Sequence, residues 1–396
     1  MTPEQADALA SVAAAYVHIP FCSRVCPYCD FAVVAGQDGL AGRYADALCA
    51  EIELSPTWRP LGSVYFGGGT PSHVAPELLG RVLRAIEARH GLAPGAEVSL
   101  EANPEDFTVD RAVVLRRSGF NRVSFGAQSF DPAVLRALGR RHRPEEIEGS
   151  VEAAREAGFE NLSLDLIYGT PGETAGSWEE SLGRALALGP DHISCYALTV
   201  EGGTPLSRAV RAGAAAPDPD VQADRYLVAD QLLAEAGYLR YEVSNWARPG
   251  RECRYNLTVW AQGEYEAYGN GAHGHRRGRR FRNIRRLEAY LKAVESGRSP
   301  RAGEEAVAGW EAELDRLFVG LRRAVGVAPG PGVEAFCASE EGRALAGAGV
   351  VVQQSSRLVV VNPLLTDEVL RTVLDLEAPD GWENLKADIV TVVRDA

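Results

Sequence analysis

Short apolar runs alternate with stretches carrying apolar residues at helical spacing through the first half of this chain. The run Tyr16-Val17-His18-Ile19-Pro20 reads as a strand, and helical spacing follows from Leu40 to Leu54. Further strands are expected at Ser63–Phe66, Val98–Glu101, Arg122–Phe125, Leu162–Ile167 and His192–Leu198, with helices near 76–90, 109–118, 145–157 and 178–188. Roughly six strand-and-helix units in this order predict an α/β fold, a parallel sheet with helices packed outside it. Such a sheet is either open and doubly wound or curled towards a barrel, and the pattern alone leaves that choice open. In both, ligands gather where strands end at their C-terminal edges.

Beyond Pro205 the pattern changes. A Gly/Ala/Pro/Asp stretch, 213–220, precedes a long helical pattern from Val221 to Ala236 and a short strand, Tyr241-Glu242-Val243-Ser244. Residues 249–286 are rich in Gly, Arg, aromatics and Asn with little periodicity, and are expected to connect over the barrel mouth. From Glu304 onward, helices near Trp310–Arg323 and Leu364–Leu376 flank a hairpin-like pair, Gly349–Val352 and Arg357–Val361, a small C-terminal unit of winged-helix type. The chain thus divides into an N-terminal segment (1–13), a strand-and-helix body (14–248), a connecting region (249–303) and a C-terminal helix and hairpin domain (304–396), whose tail starts at Pro379.

Composition narrows the classes. At 396 residues and 46% hydrophobic content the chain can build a sizeable core. It holds no apolar run long enough for a membrane-spanning helix. The start, Met1-Thr2-Pro3-Glu4-Gln5-Ala6-Asp7, carries acids where a signal peptide carries bases, so no export is expected. Seven cysteines, an odd number, suit a reducing cytoplasm better than a disulfide framework. A net charge of −13 argues against nucleic acid as the main partner. One stretch breaks that balance, HRRGRRFRNIRR from His275 to Arg286.

The candidate chemistry starts in Phe21-Cys22-Ser23-Arg24-Val25-Cys26-Pro27-Tyr28-Cys29-Asp30-Phe31, which sets three cysteines at C-x3-C-x2-C spacing just past the first strand. A structural zinc takes a closed tetrahedron, whereas a bare triplet suits an iron-sulfur cluster with one iron open. A zinc loop completed by a distant Cys or His, or three unrelated buried thiols, stay open on spacing alone. Gly67-Gly68-Gly69-Thr70-Pro71 follows the second strand, where glycines let backbone approach a ligand. Glu101 ends the third strand, Gln128 follows the fourth, Arg140 lies in Leu138-Gly139-Arg140-Arg141-His142, and Asp165 is on the fifth. Singly, each is more often a cap or an ion-pair member; near one edge of successive parallel strands they point to a shared pocket. His90 and His192 read as ordinary structural residues.

The string YVHIPFC…CPYCDF, together with Ser163–Gly172 and Ala272-His273-Gly274, resembles the radical S-adenosylmethionine (SAM) enzymes, in the branch of oxygen-independent coproporphyrinogen III oxidase-like proteins. The resemblance covers most of the chain. It implies a partial (βα)6 barrel, open on one side, and a 4Fe-4S cluster on Cys22, Cys26 and Cys29 whose open iron takes the amino and carboxylate groups of SAM. It further implies a SAM site of Tyr16, Tyr28, Gly68, Gly69, Thr70, Glu101, Gln128, Arg140 and Asp165, with Ala197 as a further contact. The implied chemistry is cleavage of the sulfonium to a 5′-deoxyadenosyl radical, with the electron coming from a donor protein.

Within that family, the oxidase carries an additional cysteine two residues past the third motif cysteine, where this chain has Phe31, and a longer N-terminal extension. Both departures point to the haem chaperone branch, HemW, whose members bind haem and pass it to acceptor proteins. Those chaperones carry HN-x2-YW after a Cys-Arg pair. Here the matching residues are Cys253-Arg254-Tyr255-Asn256-Leu257-Thr258-Val259-Trp260, with Tyr for His and Val for Tyr. Tyr can ligate haem iron, so Tyr255, His273, His275 and Cys253 are candidate ligands, against the simpler reading that Tyr255 packs. The run of Arg276, Arg277, Arg279, Arg280, Arg282, Arg285 and Arg286 is either solvated surface or a fork for porphyrin carboxylates. The expectation is a cytoplasmic haem chaperone with a radical SAM core. The alternative is oxidative decarboxylation of coproporphyrinogen III, so whether the chain is an enzyme stays open.

Overall fold

The computed structural model describes residues 2–380 and 382, so the expected tail lies almost wholly outside the described residues. Six strands, β1 (Ala13–Ile19), β2 (Leu61–Gly68), β3 (Leu92–Ala102), β4 (Arg122–Gln128), β5 (Asn161–Tyr168) and β6 (His192–Ala197), pair in parallel in chain order. Helices 41–54, 76–90, 109–117, 144–156 and 175–187 connect them. The alternation along each strand explains both faces. Val17, Val64, Phe66, Leu100, Val123, Phe125, Leu164 and Ile193 belong to the apolar core packed against the helices. Their neighbours Glu97, Ser99, Glu101, Arg122, Ser124, Gln128, Ser163, Asp165, His192 and Ser194 share the opposite, inner face by the period of two. A slip of one residue would exchange the faces, so the apolar set fixes where the polar set must sit.

Past β6 the sheet continues in antiparallel fashion. The single strand expected at 241–244 is the turn of a hairpin, β7 (Leu239–Glu242) and β8 (Asn245–Ala247), with β8 against β6. Within 249–303 a helix, Arg254–Trp260, leads to β9 (Tyr265–Tyr268), which pairs parallel to β1. The hairpin β10 (His273–Arg276) and β11 (Arg279–Asn283) and the strand β12 (Arg301–Ala306) extend that edge. The resulting order is β12-β11-β10-β9-β1-β2-β3-β4-β5-β6-β8-β7, and the two edge strands do not pair with each other. This is the open, partial barrel.

The arginine run lies largely in this hairpin. Arg279 pairs with Glu304 and Arg280 with Glu305 at 2.8 Å across β11 and β12. Arg276 is buried against Glu266, with its guanidinium 4.5 Å from the Trp58 ring. Cross-strand ion pairs of this kind stabilise a ladder, and they engage three of the arginines that porphyrin carboxylates would need.

The C-terminal unit has its own core of Leu317, Leu321, Val327, Phe336, Val351, Leu358, Val369 and Leu370. It combines helices 309–320, 331–338, 340–347 and 366–374 with the hairpin β13 (Val351–Gln354) and β14 (Arg357–Val360). The N-terminal helix, Pro3–Ala10, ties it down: the Asp7 carboxylate accepts from Arg323 at 2.9 Å and from Arg357 at 2.8 Å. Both guanidiniums are nearly buried, while Asp7 is half exposed. Asp7→Asn leaves two poorly compensated charges, and the expected loss, discounted for the exposure of Asp7, is about 1–3 kcal/mol. Urea denaturation followed by tryptophan fluorescence checks this; an unchanged midpoint would mean that the unit docks by its other contacts.

Candidate functional site

The cysteine loop grows out of β1. Phe21-Cys22 forms a short parallel ladder with Val34-Ala35, and the Cys29 N–H donates to the Cys26 carbonyl at 3.1 Å, closing a tight turn. All three cysteines are free, Cys22 buried and the other two half-buried. They border a cavity of about 750 Å³ whose wall also includes Tyr28, Gly68, Gly69, Thr70, Glu101, Gln128, Arg140, Asp165 and Ala197. Twelve residues expected at the cofactors are therefore brought together from the loop and the C-terminal ends of successive strands.

The glycines have a local cause. At Gly69 a Cβ would come within 2.8 Å of the Ile19 carbonyl and 2.9 Å of that of Phe21, and at Gly68 (φ +112°) it would overlap the His18 ring at 2.4 Å. Without side chains, the end of β2 lies directly against the cysteine loop. The Gly69 N–H donates to Ile19 at 2.8 Å and the Thr70 N–H to Phe21 at 2.9 Å. These two bonds fix the loop on the sheet.

Two carboxylates face the cavity. Glu101 accepts from the Tyr65 hydroxyl at 3.0 Å and from the Gly68 N–H at 3.1 Å, while burial and then the nearby Asp165 charge push its pKa up to about 7. Asp165 accepts from Ser194 Oγ at 2.7 Å and Ser124 Oγ at 3.0 Å, and burial raises it as well. The register shift between Phe125 and Gln128, with Gln128 at φ 63°, is a bulge beside this wall. Arg140 donates to the Gly126 carbonyl at 3.0 Å and to Asn103 Oδ1, and its guanidinium reaches Cys26 Sγ at 3.7 Å. Burial pushes the Cys22 thiol up to about 11, and Thr70 Oγ1 lies 3.5 Å from its sulfur.

These features fit the implied groups. Among the described residues no three His, Cys, Asp or Glu side chains are set around one point to hold a single metal ion, which disfavours the zinc loop. Three thiols bordering one cavity, none in a disulfide, with a guanidinium beside Cys26 to offset thiolate charge, match a cluster that takes one thiolate per iron. Glu101 and Asp165, whose ionised forms are disfavoured as they stand, match a cationic ligand such as a sulfonium with its ammonium group.

Four expected residues are not brought to the cavity wall: Tyr16, Tyr255, His273, and His275, whose Nδ1 instead lies 3.0 Å from the Gly263 carbonyl. Tyr16 stands one ring behind it, stacked on Tyr65 at 6.4 Å and Tyr255 at 5.8 Å, with its hydroxyl 3.2 Å from His18 Nδ1. Tyr255 packs against Tyr65 at 5.2 Å, and burial holds its phenol well above the ordinary range, against the phenolate that iron ligation needs. His273 is exposed on β10. Of the candidate haem ligands Cys253 does border the cavity, and the wall further includes Arg122, His192 and Asn256, and Arg322 and Asp367 from the C-terminal unit. His192 is held between Ser163 Oγ and the Tyr241 hydroxyl, each at 2.8 Å, and burial keeps it neutral. Arg122 was findable, since it opens its strand in phase with the polar inner set; His192, read from the sequence as an ordinary structural residue, opens its own strand in the same phase and borders the cavity.

Comparison with known proteins agrees with this geometry. The Radical SAM superfamily model, a family that holds a 4Fe-4S cluster and SAM, matches residues 16–185. A heme chaperone HemW of Mycobacterium tuberculosis is 40% identical over 372 residues, spanning 91% of this chain and 94% of that protein. The heme chaperone HemW of Bacillus subtilis is 35% identical over 79% of this chain and 84% of its own. Among solved structures, the coproporphyrinogen III oxidase HemN of Escherichia coli superposes with a TM-score of 0.79 at 25% identity, covering 93% of this chain and 92% of that one. No helix among the described residues is long and apolar enough to cross a membrane. With inner wall, cysteine loop and near full-length likeness in agreement, this chain belongs to the HemW family of radical SAM proteins.

Proposed function

We propose that this chain is a cytoplasmic haem chaperone, which binds haem and hands it to an acceptor protein. The observation that carries this reading is the 40% identity to a heme chaperone through 94% of that relative's length. Position 31 supports it, since Phe31 occupies the place of the oxidase's additional cysteine. Cys22, Cys26 and Cys29 would hold the cluster, and Glu101, Asp165, Gln128 and the Gly68–Thr70 turn would hold SAM. When bound, the cluster supplies the electron, taken from a donor protein, that SAM cleavage requires. The chain's own part is placement: Arg140 offsets charge beside Cys26, Glu101 and Asp165 offer negative charge to a cation, and the glycines keep loop and sheet in register.

The oxidase-like superposition favours a second reading, decarboxylation of coproporphyrinogen III. Anaerobically reconstituted protein supplied with coproporphyrinogen III and SAM separates the two. Protoporphyrinogen formation refutes the chaperone-only view, and haem uptake without turnover supports it.

A further inference from the structure

We propose that haem sits across the mouth of the cysteine-loop cavity, its apolar face on Phe31 and Val25 and its carboxylates on Arg24 and Arg141. This inference rests on the haem-chaperone reading and assigns it a site. Phe31 is 63% exposed and Val25 41%, and both border the cavity, as do Tyr196 at the end of β6 and Leu364 of the C-terminal unit, 41% and 37% exposed. Large apolar side chains from three parts of the fold therefore surround one opening. The strand ends within carry the carboxylates Glu101 and Asp165, which suit a cation and give no reason for exposed apolar side chains at the rim. A rim of this kind around a concave mouth marks a ligand surface.

The charge at the mouth selects the ligand. Arg24 and Arg141 border the same cavity, both are exposed, and neither has an ion pair or side-chain hydrogen bond among the described residues. The Arg24 guanidinium reaches the turn that leads into Arg141: a Cβ on Gly139, two residues earlier, would lie 3.6 Å from one of its nitrogens. The third rim cation, Arg322, is engaged by Asp367 at 3.6 Å. Asp30 and Glu201 also border the mouth, and they would repel carboxylates towards the arginine pair. A flat apolar ligand with acids along one edge answers both features, and haem is such a ligand. The arginines of the β10–β11 hairpin are poorer candidates because Arg276, Arg279 and Arg280 already face glutamates.

The test is an anaerobic absorption titration of the full, cluster-loaded chain with haem and, in parallel, with haem dimethyl ester, which lacks the carboxylates. Wild type should take up haem. Arg24→Gln/Arg141→Gln should weaken haem about tenfold while binding the ester as wild type does, and ester binding doubles as the check that the variant is folded. Phe31→Ser should weaken both ligands, and Arg282→Gln neither. Equal haem affinity in wild type and the double variant overturns the site but leaves the chaperone reading standing. Wild type that takes up no haem overturns the reading itself.

Discussion

Alanine at Cys22, Cys26 and Cys29 together will abolish iron and sulfide uptake on anaerobic reconstitution, while the apo protein keeps its secondary structure. The fold should survive because only Cys22 is fully buried, and trimming one such thiol costs about 1–2 kcal/mol. Uptake should vanish because these three free thiols border the cavity together, and among the described residues no three His, Cys, Asp or Glu side chains are set around one point to take their place. The pH dependence has a definite sign. Burial raises the Cys22 thiol to about 11 and raises Cys29 as well, so iron must displace protons to bind. Cluster assembly should therefore weaken from about pH 9 to about pH 6. Iron and sulfide assays with visible absorption measure it. A triple variant that still assembles a cluster would overturn the ligand assignment.

How far the sequence was legible depended on the period of each segment. The six parallel strands were visible because they carry apolar runs or short alternations, as in Leu162-Ser163-Leu164-Asp165-Leu166, whose core face needs no partner elsewhere to be recognised. Strand β9 was not, since Tyr265-Glu266-Ala267-Tyr268 places a buried Glu at its centre, and its meaning depends on Arg276 on the neighbouring hairpin. The arginine run read as one cationic block for a related reason. Its partners Glu304 and Glu305 lie 25 residues downstream of Arg279 and Arg280, and only the register of β11 and β12 brings them opposite. At the site, residues on strand ends and in the cysteine loop border one cavity. Tyr255 follows the simpler of its two readings: it packs, stacked with Tyr16 and Tyr65, although sequence order does not name these partners.

Glu101→Gln should weaken SAM binding at least tenfold and flatten its pH dependence. In wild type the Glu101 pKa is about 7 against an ordinary 4.5, because burial and Asp165 oppose the charge. A raised carboxyl favours the fold fully below the ordinary value, and that contribution is lost as pH rises through about 7. A bound cation reverses the preference, since it stabilises the ionised form, so below about pH 7 SAM must expel a proton to bind. Wild-type affinity should therefore climb between about pH 6 and about pH 8, as the carboxylate becomes ionised beforehand. Glutamine removes the titration and the attraction together, leaving only the slope that Asp165 contributes. Apo stability gives a readout that does not involve the cofactor. At pH 8 the variant escapes the cost of a charge in the cavity wall, about 1–2 kcal/mol once solvent reaching the cavity is allowed for. It loses one of the two acceptor oxygens that serve Tyr65 and Gly68, about 1 kcal/mol at any pH. Relative to wild type it should thus be less stable at pH 5 and gain ground as pH rises. Urea midpoints at the two pH values and calorimetric SAM titrations measure both effects. A variant that binds SAM as tightly as wild type with an unchanged pH slope would reduce Glu101 to a strut for the Tyr65 hydroxyl and the Gly68 turn.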